Sequence, residues 1–408
     1  MSDRTIVTLA LAGLLAGCSS SDATAPPDAG ALPDLSSPGD DAGNPTGAAD
    51  GSTSSDAAAP GVTTIRIHYP VGTHSLALRG DTAPLDWNQG ITLTAAPDGS
   101  FVYVFATPPS STVQFKPLLD DSTWSRGPNY HVQPGATVDV YPHFTTTQGQ
   151  VVKLIATFHS TILNNDRAIW AYLPPSYDEN PLARYPVLYM HDGQNLFDPS
   201  LAFGGNAWNV QGTLNAAYEG DGTTPAGVEE LIVVGVENTS QRIYEYTPVT
   251  DPGTPGGGGG DQYLSMLITE LKPQIDSMLR TLPGRDTTGI MGSSLGGLIS
   301  AYAGLTHADV YGIVGVMSPS TWWDSDWLVA QVTASNGKTP QPNRVYVDCG
   351  ADSGDDYADT QMLVAAYLAV GFVEPGNFLH VYQPNAQHNE IYWAQRLPAA
   401  LAFLFPPR

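Results

Sequence analysis

The chain of 408 residues has little cysteine, little positive charge and no hydrophobic run long enough to cross a bilayer. Its two cysteines, Cys18 and Cys349, cannot form a disulfide framework, and their separation offers no pair of zinc ligands. Only 16 Lys and Arg stand against 40 Asp and Glu, a formal net charge of -24. So acidic a surface repels phosphate, which excludes nucleic acid as a partner. No segment approaches the ~18 consecutive apolar residues of a spanning helix, so any membrane contact is an anchor. What is present is a 42% hydrophobic content, enough for at least one large core, and a length that suits two or three domains.

Residues 1–18 carry Arg4 in a short charged start, an apolar run over 6–16, and then Leu15-Ala16-Gly17-Cys18. That is the layout of an export signal. It resembles the bacterial lipoprotein signal, which implies that Cys18 is diacylated and becomes the mature N-terminus of a protein lipid-anchored to a bacterial membrane outside the cytoplasm. An ordinary signal peptide with a chance cysteine is the competing reading. Residues 19–60 are almost all Ala, Gly, Pro, Ser, Thr and Asp, with seven Asp and no Lys or Arg. Nothing there offsets the entropy of ordering, so the segment reads as a disordered, self-repelling tether.

Over 61–147 the text is short strand-like runs (63–69, 75–79, 91–94, 101–105, 113–116 and 137–141) punctuated by Pro and Gly, the pattern of a small all-β sandwich. Leu78-Arg79-Gly80, Leu85-Asp86-Trp87, Asp98-Gly99 and Val113-Gln114-Phe115-Lys116 resemble the starch-binding type of carbohydrate module and related early-set domains. On that resemblance Trp87, Trp124 and Tyr130 could stack on sugar rings; core packing is the preferred reading of all three.

From 148 to 408 apolar strands alternate with helices. Strands are expected at 151–158, 168–173, 186–190, 231–236, 289–291, 312–317, 344–347 and 378–382, and helices at 263–279, 295–304, 361–370 and 390–405. This predicts an α/β fold with a mostly parallel central sheet covered on both faces, following the all-β domain. The glycine-rich run 252–260 precedes a helix instead of following a strand and has no phosphate-loop pattern; it reads as a surface loop near the site.

Gly292-Ser293-Ser294-Leu295-Gly296 follows an apolar strand and opens a small-residue helix, the setting in which G-x-S-x-G forms a nucleophile elbow. Ser294 is therefore the candidate nucleophile, and Ser293 should point into the strand. In this fold the acid and then the histidine follow the nucleophile. Of the downstream histidines, His307 closes the nucleophile helix and His380 lies inside a strand, whereas His388 stands in the loop after the last strand and is the candidate base. Asp348, Asp352, Asp355 and Asp356 all follow the strand 344–347; Asp352 is chosen as the acid, with Asp355 second. An exposed acidic loop is the bland alternative, and a calcium loop has the wrong ligand spacing. The oxyanion donors are expected to be the backbone N–H groups of Leu295 and of Gln194 or a neighbour, in His191-Asp192-Gly193-Gln194-Asn195. His191 and Asp192 are adjacent on a strand and should diverge, so no metal site is expected. Trp208, Trp322 and Trp323 are candidates for a substrate pocket, with core packing as the alternative.

About 255 residues from Val151 onward resemble the esterase family that includes feruloyl esterases, enterochelin esterases and mycolyltransferases. The matching words are 167–175 with Tyr177-Asp178, 185–197, 292–298, Ser318-Pro319-Ser320 with Trp322-Trp323, and His388-Asn389-Glu390 with Trp393. The resemblance implies an α/β-hydrolase fold, a Ser-Asp/Glu-His triad and no cofactor. The activity expected is that of an extracytoplasmic serine carboxylic-ester hydrolase on a feruloyl or acetyl glycan ester or a siderophore ester. The alternatives are an acyltransferase or thioesterase on the same residues, or a non-catalytic glycan-binding lipoprotein.

Overall fold

The computed structural model describes residues 61–219, 227–336, 340–351 and 354–407. The export signal, Cys18 and the tether fall outside them, as does Asp352.

The all-β region is built as its alternation demands. Strands β1 (Thr64–Ile67), β2 (Leu76–Gly80), β3 (Ile91–Thr92), β4 (Phe101–Val104), β5 (Val113–Leu119), β6 (Thr123–Trp124), β7 (Tyr130–Val132) and β8 (Thr137–Val140) form two sheets. One has the order β4-β1-β8; the other is β3-β2-β5-β6, with β7 on β5. Ile65, Ile67, Leu76, Leu78, Phe115 and Val140 meet between them in one core. The sequence reading missed β6 and β7, two and three residues long, whose residues alternate too briefly to show a period. Tyr130 stacks on Phe115 at 5.8 Å between ring centroids, as packing predicts. Trp124 departs from that expectation. It is 39% exposed, pairs with Trp87 at 6.2 Å, and has the Arg79 guanidinium 5.2 Å from its ring centre.

The α/β region has strands β9 (Gln150–Ser160), β10 (Asn165–Leu173), β11 (Val187–His191), β12 (Ile232–Val236), β13 (Thr288–Ser294), β14 (Ile313–Pro319), β15 (Arg344–Cys349) and β16 (Phe378–Tyr382). Its helices are α1 (Val210–Tyr218), α2 (Arg242–Tyr246), α3 (Gly260–Ser265), α4 (Lys272–Met278), α5 (Leu295–Thr306), α6 (Trp327–Ser335), α7 (Tyr357–Ala369) and α8 (Glu390–Leu404). A π-helical stretch, Met266–Leu271, joins α3 to α4 where an unbroken helix was expected. One eight-stranded sheet runs β16-β15-β14-β13-β11-β12-β10-β9, antiparallel at the β10 and β9 edge and parallel elsewhere. β11, β12 and β14 are buried at every residue, because apolar cores lie on both faces of the sheet.

The connectivity makes the crevice. β11 is followed in sequence by β12 on one side of it and by β13 on the other, so loops leaving the carboxyl ends of β11 and β13 diverge to opposite faces. A gap opens at that edge, where open α/β sheets bind their ligands.

Candidate active site

Four strand ends meet at this edge. β13 ends on Ser294, a non-glycine residue at φ 59 and ψ -125, and Leu295 starts α5 directly after it. Such backbone is costly for a side chain and recurs at functional turns. The flanking glycines permit it by contact: a Cβ on Gly292 would lie 2.9 Å from the Gly296 carbonyl and 2.8 Å from the His191 ring. Ser294 is thereby half-buried with its hydroxyl at the crevice, while Ser293 is buried in the strand. The Ser294 hydroxyl lies 3.2 Å from that of Ser320, and the Ser320 N–H donates to the Ser294 carbonyl at 3.0 Å.

His388 stands in the loop between β16 and α8, 29% exposed. Its Nδ1 is 2.6 Å from Oδ1 of Asp355, whose side chain is fully buried. The imidazole packs edge-on against the Trp393 ring at 5.1 Å. With Nδ1–H donated to the carboxylate, the Nε2 lone pair is the one left for proton transfer. The carboxylate on His388 is thus Asp355, the second choice from the sequence; Asp352, the first choice, lies outside the described residues. Local spacing does not decide this; partners distant in sequence do. Oδ2 of Asp355 accepts from the Gly350 N–H at 2.5 Å and from the Ser318 hydroxyl at 2.7 Å, and lies 3.4 Å from Arg396 Nη2. Ser318 in turn accepts from Trp393 Nε1 at 3.0 Å and from Arg396 Nη2 at 2.6 Å. Ser318 and Ser320 carried no role in the sequence reading, although their motif at the end of the strand beside the nucleophile was the available signal.

The neighbouring acids are occupied otherwise. Asp348 is fully buried; burial pushes its carboxyl up to about 6 against the pull of Arg396, whose Nε lies 3.0 Å away. Asp356 precedes α7 in a left-handed conformation, and burial raises its carboxyl although the Trp322 indole bonds to it.

The loop after β11 turns at Asp192, φ 55, into a single 3-10 turn, Gly193–Asn195, that carries Gln194. A Cβ on Gly193 would sit 2.6 Å from the Gly235 carbonyl carbon, so only glycine lets this turn press on β12. His191 ends β11 whereas Asp192 already lies in the left-handed turn beyond it, so the two are not neighbours on one strand, and they meet different partners. His191 Nδ1 meets the Tyr263 hydroxyl at 2.9 Å, and burial lowers its imidazole to about 3 against the pull of Asp192. Asp192 accepts from Arg242 Nε at 2.7 Å and Nη2 at 2.9 Å; burial works to raise its carboxyl, but this guanidinium holds it below its ordinary value. Asn195 Nδ2 donates to Glu390 at 3.2 Å, tying this turn to the helix that follows His388.

Two of the three candidate pocket tryptophans are core. Trp208 and Trp323 are each 2% exposed; the first packs against Trp393 at 5.7 Å, and the second donates from Nε1 to the Val249 carbonyl at 2.8 Å. Gly257 of the glycine-rich loop lies against Trp323, where a Cβ would sit 2.6 Å from the ring. Trp322 is 40% exposed. Beside the Gln194 turn is a pocket of about 220 Å³ whose walls include Trp170, Phe197 and Leu201. Trp170 lies in β10, and nothing in the sequence pattern of that strand marks it as a pocket residue.

A serine on a positive-φ elbow at a topological switch point, with a histidine–carboxylate pair from the next loops, marks a serine hydrolase of the α/β-hydrolase fold. The chain belongs to the esterase family whose model, described as "Putative esterase", matches residues 160–404. It is 26% identical over 253 residues to the uncharacterized protein YbbA of Bacillus subtilis, covering 59% of this chain and 93% of that one. It is 25% identical over 208 residues to the ferri-bacillibactin esterase BesA of the same organism, covering 46% and 66%. Among solved structures, an IroE-like serine hydrolase from Shewanella oneidensis is similar in fold at a TM-score of 0.50 and 22% identity, over 63% of this chain and 80% of that one. The protein is a serine ester hydrolase.

Proposed function

We propose that Ser294, His388 and Asp355 carry out acyl-enzyme hydrolysis of a carboxylic ester. The observation that carries the reading is the 2.6 Å contact of His388 Nδ1 with buried Asp355, in the loop after β15, a strand separated by β14 alone from that of the Ser294 elbow. Ser294 Oγ attacks the ester carbonyl as His388 Nε2 takes its proton; Asp355 holds the imidazolium, and the N–H groups of Leu295 and Gln194 receive the oxyanion. The histidine then gives its proton to the departing alcohol. Water repeats the sequence in reverse and frees the acid.

The substrate is an ester with an aromatic or siderophore acyl group. Two features support this: the resemblance to a ferri-bacillibactin esterase, and the pocket walled by Trp170 and Phe197 beside the oxyanion turn. A glycan-linked aryl ester is the second reading, favoured by the surface pair Trp87 and Trp124 on a sandwich acting as a carbohydrate-binding module. Export by the N-terminal signal and diacylation at Cys18 would place the enzyme on the outer side of a bacterial membrane. Labelling by a fluorophosphonate, abolished in Ser294→Ala, tests the mechanism. Turnover of catecholate, feruloyl and acetyl-xylan esters ranks the substrates, and an enzyme that labels but prefers short aliphatic esters overturns the aromatic assignment.

A further inference from the structure

The opposite edge of the sheet holds a second cleft. It lies where the sandwich meets the amino ends of β11 and β12, and its volume is about 120 Å³. The sandwich gives it Asn129, Tyr130, Tyr141 and His143; the α/β region gives it Tyr185 and Glu230. The chain runs extended from Tyr185 at this cleft through β11 to His191 under the nucleophile elbow, on the order of 20 Å at ~3.3 Å per residue. A molecule here is out of reach of Ser294.

The lining has a definite chemistry. The sandwich tyrosines Tyr130 and Tyr141 are half-buried and offer the cleft flat apolar rings with polar rims, whereas Tyr185 of the α/β region is 3% exposed. His143 is 3% exposed; its Nδ1 faces Glu230 at 3.6 Å, and its Nε2 is buried with no hydrogen-bond partner. Nδ1–H directed at Glu230 leaves Nε2 as an acceptor for a hydroxyl. A free anion is disfavoured by Glu229, Glu230 and Asp139 in the wall, and a cation by Arg126 and Arg184.

We propose that this cleft is a second binding site, separate from the catalytic crevice, for a neutral six-membered ring bearing hydroxyl groups. The ring stacks on the sandwich tyrosines, and a hydroxyl bonds to His143. A glycosyl unit and a phenolic acyl ring share this chemistry, and in either case the site holds one part of a large substrate or a product while the ester is cut elsewhere.

The test uses the full chain with methyl β-glucoside and catechol as probes, followed by saturation-transfer NMR. Asn129→Trp fills the cleft from its loop, and Tyr141→Ala removes one face. At least one probe should bind saturably and survive phosphonylation of the enzyme. Its affinity should fall tenfold or more in both variants while turnover of a small activated ester stays at the wild-type value; the melting temperature should hold in Asn129→Trp and fall in Tyr141→Ala, which loses the stack on His68, so both are compared well below it. Preference for the glucoside assigns the site to a glycosyl unit, preference for catechol to an aryl ring. The proposal is overturned by no saturable binding of either probe, by binding that phosphonylation abolishes, or by binding that Asn129→Trp leaves intact. Esterase activity is read separately, so failure here leaves the Ser294 assignment standing.

Discussion

The proposed nucleophile and the proposed acid of this site are specified in different ways. Ser294 is fixed by five consecutive residues: the end of an apolar strand, Gly292, where a Cβ would clash, Gly296, where one would sit 3.3 Å from His191, and a helix start. Asp355 is fixed by groups that come from the ends of β14 and β15 and from α8: Ser318, Gly350 and Arg396. A local device can be replaced without moving its surroundings, whereas a distributed one cannot lose a member without disturbing the rest. The two halves should therefore fail differently under mutation.

Ser294→Ala should have the largest effect on turnover and little on folding, since the elbow accommodates a smaller side chain. A loss of roughly 10⁴- to 10⁶-fold in kcat with an unchanged melting temperature is expected, by analogy with nucleophile deletions in other serine hydrolases. Residual activity above about a hundredth of wild type would place the nucleophile elsewhere.

Asp355→Asn should cost on the order of 10⁴ in kcat, because the imidazole loses the carboxylate that sets its tautomer. Unlike the serine change it should also lower the melting temperature, for Arg396 and the Gly350 N–H lose a charged partner in a buried setting. Asp352→Asn should stay within a few-fold of wild type. The reverse ranking would restore the choice made from sequence.

Ser318→Ala tests the distributed half without touching the triad. The hydroxyl donates to Asp355 and accepts from Trp393 and Arg396, so its loss frees a carboxylate lone pair and two buried donors. A kcat loss of about 10- to 100-fold is expected, from ~1.5–3 kcal/mol for a hydrogen bond to a charged group. If Ser318→Ala is as harmless as Asp352→Asn, the acid is held by backbone alone and the contrast between the halves weakens.

What could be read from the sequence follows the same division. The sheet strands, the elbow and the order of the triad all have short-range signatures: buried strands are apolar runs, and the elbow needs glycine at fixed offsets. The position of the acid within its loop has none, because the four candidates differ only in what approaches them from α8 and β14. Trp208 and Trp323 illustrate the same limit. A core aromatic and a pocket aromatic look alike in sequence, and burial against Trp393 and Val249 separates them. The paired loops at the opposite edge, which bring Tyr130 toward Tyr185, join residues that no local pattern links.

The smallest expected effect concerns His191 and is seen in stability against pH. Burial holds its imidazole at about 3 in the folded protein, below the ~6.5 of an unfolded chain. Between those values the unfolded state binds the extra proton, so this residue lowers stability as pH falls through 6.5 toward 3. Asp348 acts in the other direction. Its folded carboxyl is pushed up to about 6, so the folded state takes a proton before the unfolded one does, and stability is gained as pH falls from about 6 toward ~3.9. Each unit of difference is worth about 1.4 kcal/mol, which leaves partial cancellation from pH 6 to 4 and a net loss below it. His191→Gln keeps a polar group near Tyr263 and removes the titration, so its urea midpoint should fall less steeply than that of wild type between pH 6.5 and 4. Asp348→Asn should steepen the same limb. Parallel curves for His191→Gln and wild type would show that folding does not depress the imidazole beneath the elbow.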